Sequence, residues 1–217
     1  MGILYCGTQR IAPVVIEGGG SSGKYQLLQR IKDDSNNEIG TVSGFFTDSN
    51  DVEYAVVCLD AQYRGAGIWI SPRSAVTNLP IYAESLDSWW YDDAHETATE
   101  NTQLILDYCT ASGSTSEACS ICRSKSFIIN GTTYYGQLPN MREVFDMWVH
   151  RKDIETLDIS ASTATNWNFS TARSIWSSTQ SNSSGTQAYI QGNSGGISGL
   201  SKSNGIYVCP VLELPNA

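Results

Sequence analysis

Two cysteines of this 217-residue chain have the spacing of half a zinc site. Cys119 and Cys122 form a Cys-x-x-Cys pair in "EACSICRS", and thiolates at this spacing can occupy two corners of a zinc tetrahedron. Cys109 and either His95 or His150 could complete the site, but the sequence has no second ligand pair at matching spacing. We therefore expect no metal and no cofactor. The six cysteines are interpreted as buried or surface thiols, or as one local disulfide.

The two histidines are the candidates for a general base. His150 precedes Arg151 and Lys152 at the end of a predicted helix, where positive charge offsets the helix dipole. His95 lies in "YDDAHETATE", which lacks the i, i+4 pairing of a helical zinc site. No serine is expected at a Gly-x-Ser-x-Gly elbow between a strand and a helix, and no glycine loop has a phosphate-binding pattern. The sequence therefore indicates a protein that is not an enzyme.

A polar strip near the carboxyl end has the composition of a binding surface. Antibody binding loops favour rigid aromatic rings beside small, adaptable hydrogen-bonding side chains, and Tyr189 supplies such a ring. The alternative is that the strip consists of solvated loops and a sheet edge. Trp89, Trp90 and Tyr91 could form a second aromatic patch or lie in the core. The candidate ligand-binding residues are Gln180, Asn182, Ser184, Gln187, Tyr189, Gln191, Asn193 and Ser194.

Charge and hydropathy argue against several partners. The net charge of −9 disfavours nucleic-acid binding, which needs a basic surface. No apolar run is long enough to span a membrane, and the N-terminus lacks the basic start and apolar run of a signal peptide. The acidic segments 33–38 and 48–53 have oxygen ligands at alternate positions. Neither has the complete pattern of a calcium loop, so both are interpreted as ordinary turns.

The elements that would position these residues are mostly strands. Four β-branched or aromatic runs separated by polar turns predict an all-β segment over 24–82. Asn130-Gly131 between two such runs predicts a hairpin. A helix is predicted over 97–110, where Thr99 could be the N-cap. Its apolar face would comprise Leu104, Ile105, Tyr108 and Cys109.

A second helix is predicted over 139–151. Asn140 could cap it, with Glu143 three residues on as the partner in a capping box. Met141, Val144, Phe145 and Trp148 would form its apolar stripe.

The polar strip is predicted to be a folded surface. Short strands are expected over 174–177, 187–191, 195–199 and 206–212, and the last is a dense apolar strand that should pair within the earlier sheet. Aromatic and apolar residues at the other end of the strip would anchor it, unlike a disordered tail. These anchors are Trp167, Phe169, Ile175 and Trp176.

The first 23 residues are predicted to be a separate anchor. Two short β-prone runs are followed by a Gly/Ser linker over 18–23, and a hairpin of this size cannot bury enough apolar surface to be stable alone. An apolar tip on a flexible linker favours docking to a partner, although an ordinary first strand is the alternative. The docking residues would be Ile3, Leu4, Tyr5, Ile11, Val14, Val15 and Ile16.

Residues 24–217 resemble the bacterial and phage C-type-lectin-like domains. The motifs are "GQLPNMREVFDMW", "SIWSSTQ", "AYIQ" and "KSNGIYVCPV", in which Cys209 replaces the usual arginine before Pro210. This group includes formylglycine-generating enzymes and the variable proteins of diversity-generating retroelements. The resemblance implies an α+β fold with two helices and small twisted antiparallel sheets. The chain lacks the calcium-dependent sugar-binding motifs and any counterpart of the paired active-site cysteines, so the resemblance implies the fold without that chemistry.

The N-terminal segment "YCGTQRIAPVVIEGGG" is similar to the capsid-docking tips of head-fibre proteins in crAss-like phages. Together the two resemblances imply a non-enzymatic virion protein, attached to the capsid by residues 1–23. Its head, residues 24–217, would bind host-surface or mucosal glycans or proteins. A homotrimer is favoured over a homodimer, since intertwined copies would bury the apolar tip. The alternatives are a bacterial surface adhesin, which should carry an export signal, and a formylglycine-generating-type oxidase.

Overall fold

The computed structural model describes residues 5–6, 9–10, 23–48, 50–60, 63–66, 97–113, 115–158, 174–180, 187–192 and 195–217. The strands in this part of the chain are β1 (Tyr5–Cys6), β2 (Gln9–Arg10), β3 (Arg30–Lys32), β4 (Glu38–Thr47), β5 (Glu53–Leu59), β6 (Tyr63–Ala66), β7 (Ser126–Ile129), β8 (Thr132–Tyr135), β9 (Ile175–Gln180), β10 (Gln187–Gln191), β11 (Ile197–Ser201), β12 (Ile206–Val208) and β13 (Val211–Pro215). The helices are α1 (Ala98–Ser112), α2 (Glu117–Arg123), α3 (Met141–Val149) and α4 (Arg151–Asp158). Helices and small, mainly antiparallel sheets make this an α+β fold, as the sequence predicts.

The first sheet is antiparallel, in the order β13-β5-β4-β3. Its strand β5 is apolar at consecutive positions because both faces are buried. Ala55 and Val57 pack on the side of the β7–β8 hairpin. Val56 and Cys58 point the other way and pack in a cluster with α3 and α4. Side chains alternate between the faces of a strand, so a sheet covered on both sides needs such an unbroken apolar run.

The second sheet has the order β11-β10-β9-β12-β6. All its neighbouring pairs are antiparallel except β9 and β12. Ala188 and Ile190 on β10 pack in a cluster with Ile105 of α1 and Cys119 of α2. The chain passes from this sheet to the first one at Cys209-Pro210, so the single strand expected over 206–212 forms as β12 and β13. As expected, the last strand pairs with an earlier sheet, in register with β5.

The four helices of the described residues include the two that the sequence predicts. The capping box of α3 is confirmed: the Asn140 side chain accepts a hydrogen bond from the Glu143 backbone N–H, and the Glu143 side chain accepts one from the Asn140 N–H. In α1 the cap is Thr97, which forms a capping box with Glu100, so the expectation of Thr99 was wrong. α2 and α4 were not predicted.

The apolar face predicted for α1 is only partly correct. Ile105 and Cys109 are buried, but Leu104 is 38% exposed. Asn101 and Thr102 take buried positions beside them, because their side chains hydrogen-bond to Ser178 and to the Leu138 backbone. The side chain of Tyr108 lies outside the described residues. The stripe of α3 is buried at Met141 and Val144 and half-buried at Phe145 and Trp148.

Polar turns hold neighbouring elements together. The predicted Asn130-Gly131 hairpin forms, with β7 and β8 paired in register. The carboxylate of Asp34 accepts hydrogen bonds from the backbone N–H groups of Asn130 (2.7 Å) and Gly131 (2.8 Å). In the other acidic segment, Asp48 accepts from the N–H groups of Asn50 and Val52. The ordinary turn chemistry expected of both segments is observed.

The beginning of the head is tied to the carboxyl end. The first of the four strands predicted within 24–82 forms only at Arg30–Lys32, since Leu28 has a positive φ of 64° that interrupts an extended backbone. The Tyr25 N–H instead donates to Asn216 Oδ1 (2.7 Å). The Asn216 N–H donates to the Glu53 carbonyl oxygen (2.8 Å). The two ends of residues 24–217 therefore lie side by side.

Several predicted residues lie outside the described residues. In the anchor, β1 and β2 pair antiparallel, so a small hairpin is present, but the side chain of Tyr5 is not described. The others outside are the docking residues Ile3, Leu4, Ile11, Val14, Val15 and Ile16, together with His95, Trp89, Trp90, Tyr91, Trp167 and Phe169.

Candidate binding surface

The near end of the polar strip is buried in the protein, although its sequence is polar. Ser177, Ser178 and Thr179 on β9 are each at most 1% exposed. Ser178 Oγ accepts a hydrogen bond from the Asn101 side-chain amide, and Thr179 Oγ1 accepts one from the Met141 N–H (3.0 Å). The hydroxyl of Ser177 donates to the Tyr189 carbonyl oxygen. These hydroxyl groups are buried because they connect β9 to α1, α3 and β10.

The anchors predicted for this end behave as expected where they are described. Ile175 and Trp176 are fully buried, and the Trp176 indole N–H donates to the Asn204 carbonyl oxygen at 3.3 Å. The strip is thus held at β9 and, beyond β12, by the pairing of β13 with β5. The described parts of the strip, 177–180, 187–192 and 195–205, are therefore folded onto the protein.

The next strand, β10, is mostly buried, and this corrects part of the predicted site. Gln191 is 0% exposed, and its side-chain amide donates to the carbonyl oxygens of Gly192 (3.1 Å) and Gly196 (3.4 Å). Gln191 therefore stabilises the turn after β10 and does not lie on the surface. Tyr189 is half-buried against the cluster that contains α3, so it is not a freely displayed ring. Gln187 at the start of β10 is exposed.

The turn from β10 to β11 rests on an aromatic side chain that the sequence did not single out for the site. Gly195 has a φ of +88°, and a Cβ atom there would lie 2.5 Å from Cζ2 of Trp148. The Arg151 guanidinium stacks on the same ring, 4.0 Å from the Trp148 centroid. The glycine pair 195–196 was the sequence signal for this contact, because a glycine-rich turn often marks a place where the backbone closely approaches another group.

The exposed part of the strip is centred on β11. Ser198 and Gly199 are exposed, and so are Ser203, Asn204 and Gly205 in the turn before β12. Together with Gln187, we call these six residues the β11 surface. The side chain of Gln180 and the whole of Asn182, Ser184, Asn193 and Ser194 lie outside the described residues. The structure thus brings only Gln187 of the described candidates to this surface.

A buried lysine lies next to the β11 surface. Lys202 is 0% exposed, and burial lowers the pKa of its ammonium group to about 6. Lys202 is therefore mostly neutral at pH 7 and adds little positive charge to the strip. The β11 surface itself carries small, uncharged residues, which suit hydrogen bonding better than long-range electrostatic attraction.

Five cysteines whose side chains the structure describes are buried: Cys58, Cys109, Cys119, Cys122 and Cys209. Burial raises the pKa of the Cys119 thiol to about 12, and it raises the pKa values of Cys58 and Cys122 well above the ordinary value. These three thiols are therefore protonated at neutral pH. Within the described ranges, no three His, Cys, Asp or Glu side chains come together in an arrangement that could hold a metal ion. The described helices include none that is both long and apolar enough to cross a membrane.

Comparisons with protein-family models, curated proteins and solved structures found no match. The geometry of the strip and the sequence motifs are therefore the basis for inferring a function.

Proposed function

We propose that this protein is a non-enzymatic phage virion component, a capsid-attached head fibre or decoration protein with a host-binding head. Residues 1–23 dock to the capsid or to another virion protein, and residues 24–217 form a C-type-lectin-like head. The head binds host-surface or mucosal glycans or proteins through the β11 surface. The observation that carries this proposal is a small, polar sheet edge held by fully buried residues of β9.

The physical support comes from the contrast between the exposed edge strand β11 and the buried strand β9. The hydroxyl groups of β9 are committed to buried hydrogen bonds, whereas Ser198 and Gly199 on the outer strand are exposed. Substitutions on β11 can therefore change surface chemistry while the core stays intact. A rigid scaffold that carries variable polar positions is a general solution for recognition.

The head is tested by adding bulk to the β11 surface. Ser198→Arg places a long charged side chain at its centre, and Thr133→Arg makes the same change on exposed β8, in the separate two-stranded sheet. Both variants should fold, because both positions are exposed strand residues. Binding to host cells and to a glycan array should fall at least about tenfold for Ser198→Arg, the equivalent of about 1.4 kcal/mol, and should persist for Thr133→Arg. Equal binding by both variants would remove the β11 surface from the proposal.

The anchor is tested with virions that lack this protein. The full chain and a chain without residues 1–22 are each mixed with such virions, and bound protein is measured after sedimentation. Only the full chain should bind, as a homotrimer or, second, a homodimer. If the two chains bind equally, or neither binds, residues 1–23 are not the docking segment.

A further inference from the structure

Two glutamates from different elements meet between the N-terminal ends of two helices. Glu213 on β13 accepts hydrogen bonds from the backbone N–H groups of Ala98 (2.7 Å) and Thr99 (3.0 Å) in the first turn of α1. The Thr99 hydroxyl also donates to it. Glu143 in the first turn of α3 accepts a hydrogen bond from the Asn140 N–H (2.8 Å) through Oε2. Glu213 thus connects β13 with the first turn of α1, and Glu143 closes the first turn of α3.

The second oxygen of Glu143 has no donor from the described protein groups. Glu143 is 0% exposed and Glu213 is 9% exposed, and Glu143 Oε1 is buried without a hydrogen-bond donor among the described residues. The first turns of α1 and α3 nevertheless pack with β13 in one apolar cluster, and the carboxyl group of Glu143 is close enough to Glu213 for the two side chains to interact. Two carboxyl groups can form a hydrogen bond only if one of them carries a proton, and two ionised carboxylates would repel each other at this depth.

The groups that face this pair are mainly acidic. Arg142 on α3 is the cation acting on Glu143. Its guanidinium lies over the Phe46 ring, 4.5 Å from the centroid. Glu100 of α1 and Asp48 before β5 act with Glu213 on the Tyr54 hydroxyl of β5. Burial, followed by the charge of Glu213, raises the pKa of Glu143 well above its ordinary value, while Arg142 opposes the shift.

We propose that Glu143 is protonated at neutral pH and donates a hydrogen bond to Glu213, and that this proton is a pH-sensitive latch joining β13 to the ends of α1 and α3. The latch lies where β13 of the first sheet, α1 and α3 meet. β13 belongs to the first sheet and continues into Asn216, which holds Tyr25 at the start of the head. α3 packs on β4 of the first sheet and on β9 and β10 of the second. The inference is independent of the function proposed above.

The direction of the pH effect follows from the raised pKa of Glu143. The folded state keeps a proton that the unfolded chain releases above the ordinary glutamate pKa of 4.5. The contribution of the latch is therefore complete below that pH and is lost as the pH rises through the raised pKa. Over this interval the pair alone increases the unfolding equilibrium constant by up to about tenfold per pH unit.

The test is urea unfolding of the full chain between pH 5 and pH 9. In Glu143→Gln, the amide oxygen can accept from the Asn140 N–H while the amide nitrogen donates to Glu213, so no titrating proton is needed. Glu117→Gln, in the exposed first turn of α2, is the matched control. The wild type and the control should lose stability more steeply with pH than Glu143→Gln, by up to about tenfold per pH unit in the unfolding constant. Parallel pH profiles for all three proteins would overturn the proposal.

Two further measurements keep the test decisive if Glu143→Gln fails to fold. Glu213→Gln offers the reverse replacement and should flatten the same profile. Asp146 would contribute a band of its own in the wild type, because burial raises its pKa to about 7. Infrared spectra of Asp146→Asn at pH 7 should therefore retain a protonated-carboxyl band, and its absence would overturn the proposal. A specific stabilisation by Ca²⁺ that Glu143→Gln removes would also overturn it, because the pair would then hold a cation instead of a proton.

Discussion

The turn between β10 and β11 makes a sharp prediction about stability. Gly195 has a φ of +88°, and an added Cβ would lie 2.5 Å from Cζ2 and 2.8 Å from Cη2 of Trp148. Trp148 has little freedom to move away, since Arg151 stacks at 4.0 Å and Phe145 at 6.3 Å between ring centres. Gly195→Ala should therefore strain the backbone and also overpack the contact with α3.

A second glycine separates these two costs. Gly131 in the β7–β8 turn has a φ of +77°, but nothing lies within 4 Å of an added Cβ. Gly131→Ala should lose only the backbone contribution, about 1–2 kcal/mol for a left-handed conformation. Overpacking adds about 1–3 kcal/mol, so Gly195→Ala should lose about 2–5 kcal/mol.

The assay is urea unfolding followed by far-ultraviolet circular dichroism, because the fluorescence of Trp148 would itself respond to the change. In a double-mutant cycle, Gly195→Ala should lower the free energy of unfolding less in the Trp148→Leu background than in the wild type. If Gly195→Ala and Gly131→Ala lose the same free energy of unfolding, Trp148 does not support this turn. The β11 surface would then lack the rigid base that we assign to it.

Two other predictions concern buried polar groups. Asn140→Ala removes the cap of α3 and should lower the free energy of unfolding by about 1–2 kcal/mol, measured by thermal unfolding; a loss no larger than that of exposed Thr133→Ala would contradict the capping argument. Lys202→Met removes a buried amine, whose pKa in the folded protein is about 6 instead of the ordinary 10.5. Between these two pH values the unfolded chain binds a proton that the folded protein does not, so wild-type stability rises with pH across this window. The stabilisation by Lys202→Met should therefore be largest near pH 6 and smallest near pH 10.5, and a gain independent of pH would refute the assignment.

Local signals predicted the elements that local interactions control. Asn130-Gly131 supplies the backbone conformations of a tight hairpin, and Asn140 with Glu143 closes a capping box within four residues. The short helices α2 and α4 have seven and eight residues, which is too few for helix propensity to be decisive. They form against the core, as the burial of Cys119, Cys122 and Ile154 indicates. The cap of α1 at Thr97 was also encoded locally, because Thr97 and Glu100 have the Thr-x-x-Glu spacing of a capping box, which the prediction of Thr99 overlooked.

The amino-acid sequence by itself determined the α+β class, the main strands and the existence of a folded polar strip, because alternating apolar residues and turn residues act over short distances. Only the tertiary structure decided which polar residues of that strip face solvent. Ser177 and Ser178 are as polar as Ser198, yet they are buried because β10 and α1 supply their hydrogen-bond partners. A side chain's polarity is local information, whereas the partner that makes its burial favourable comes from a separate part of the fold.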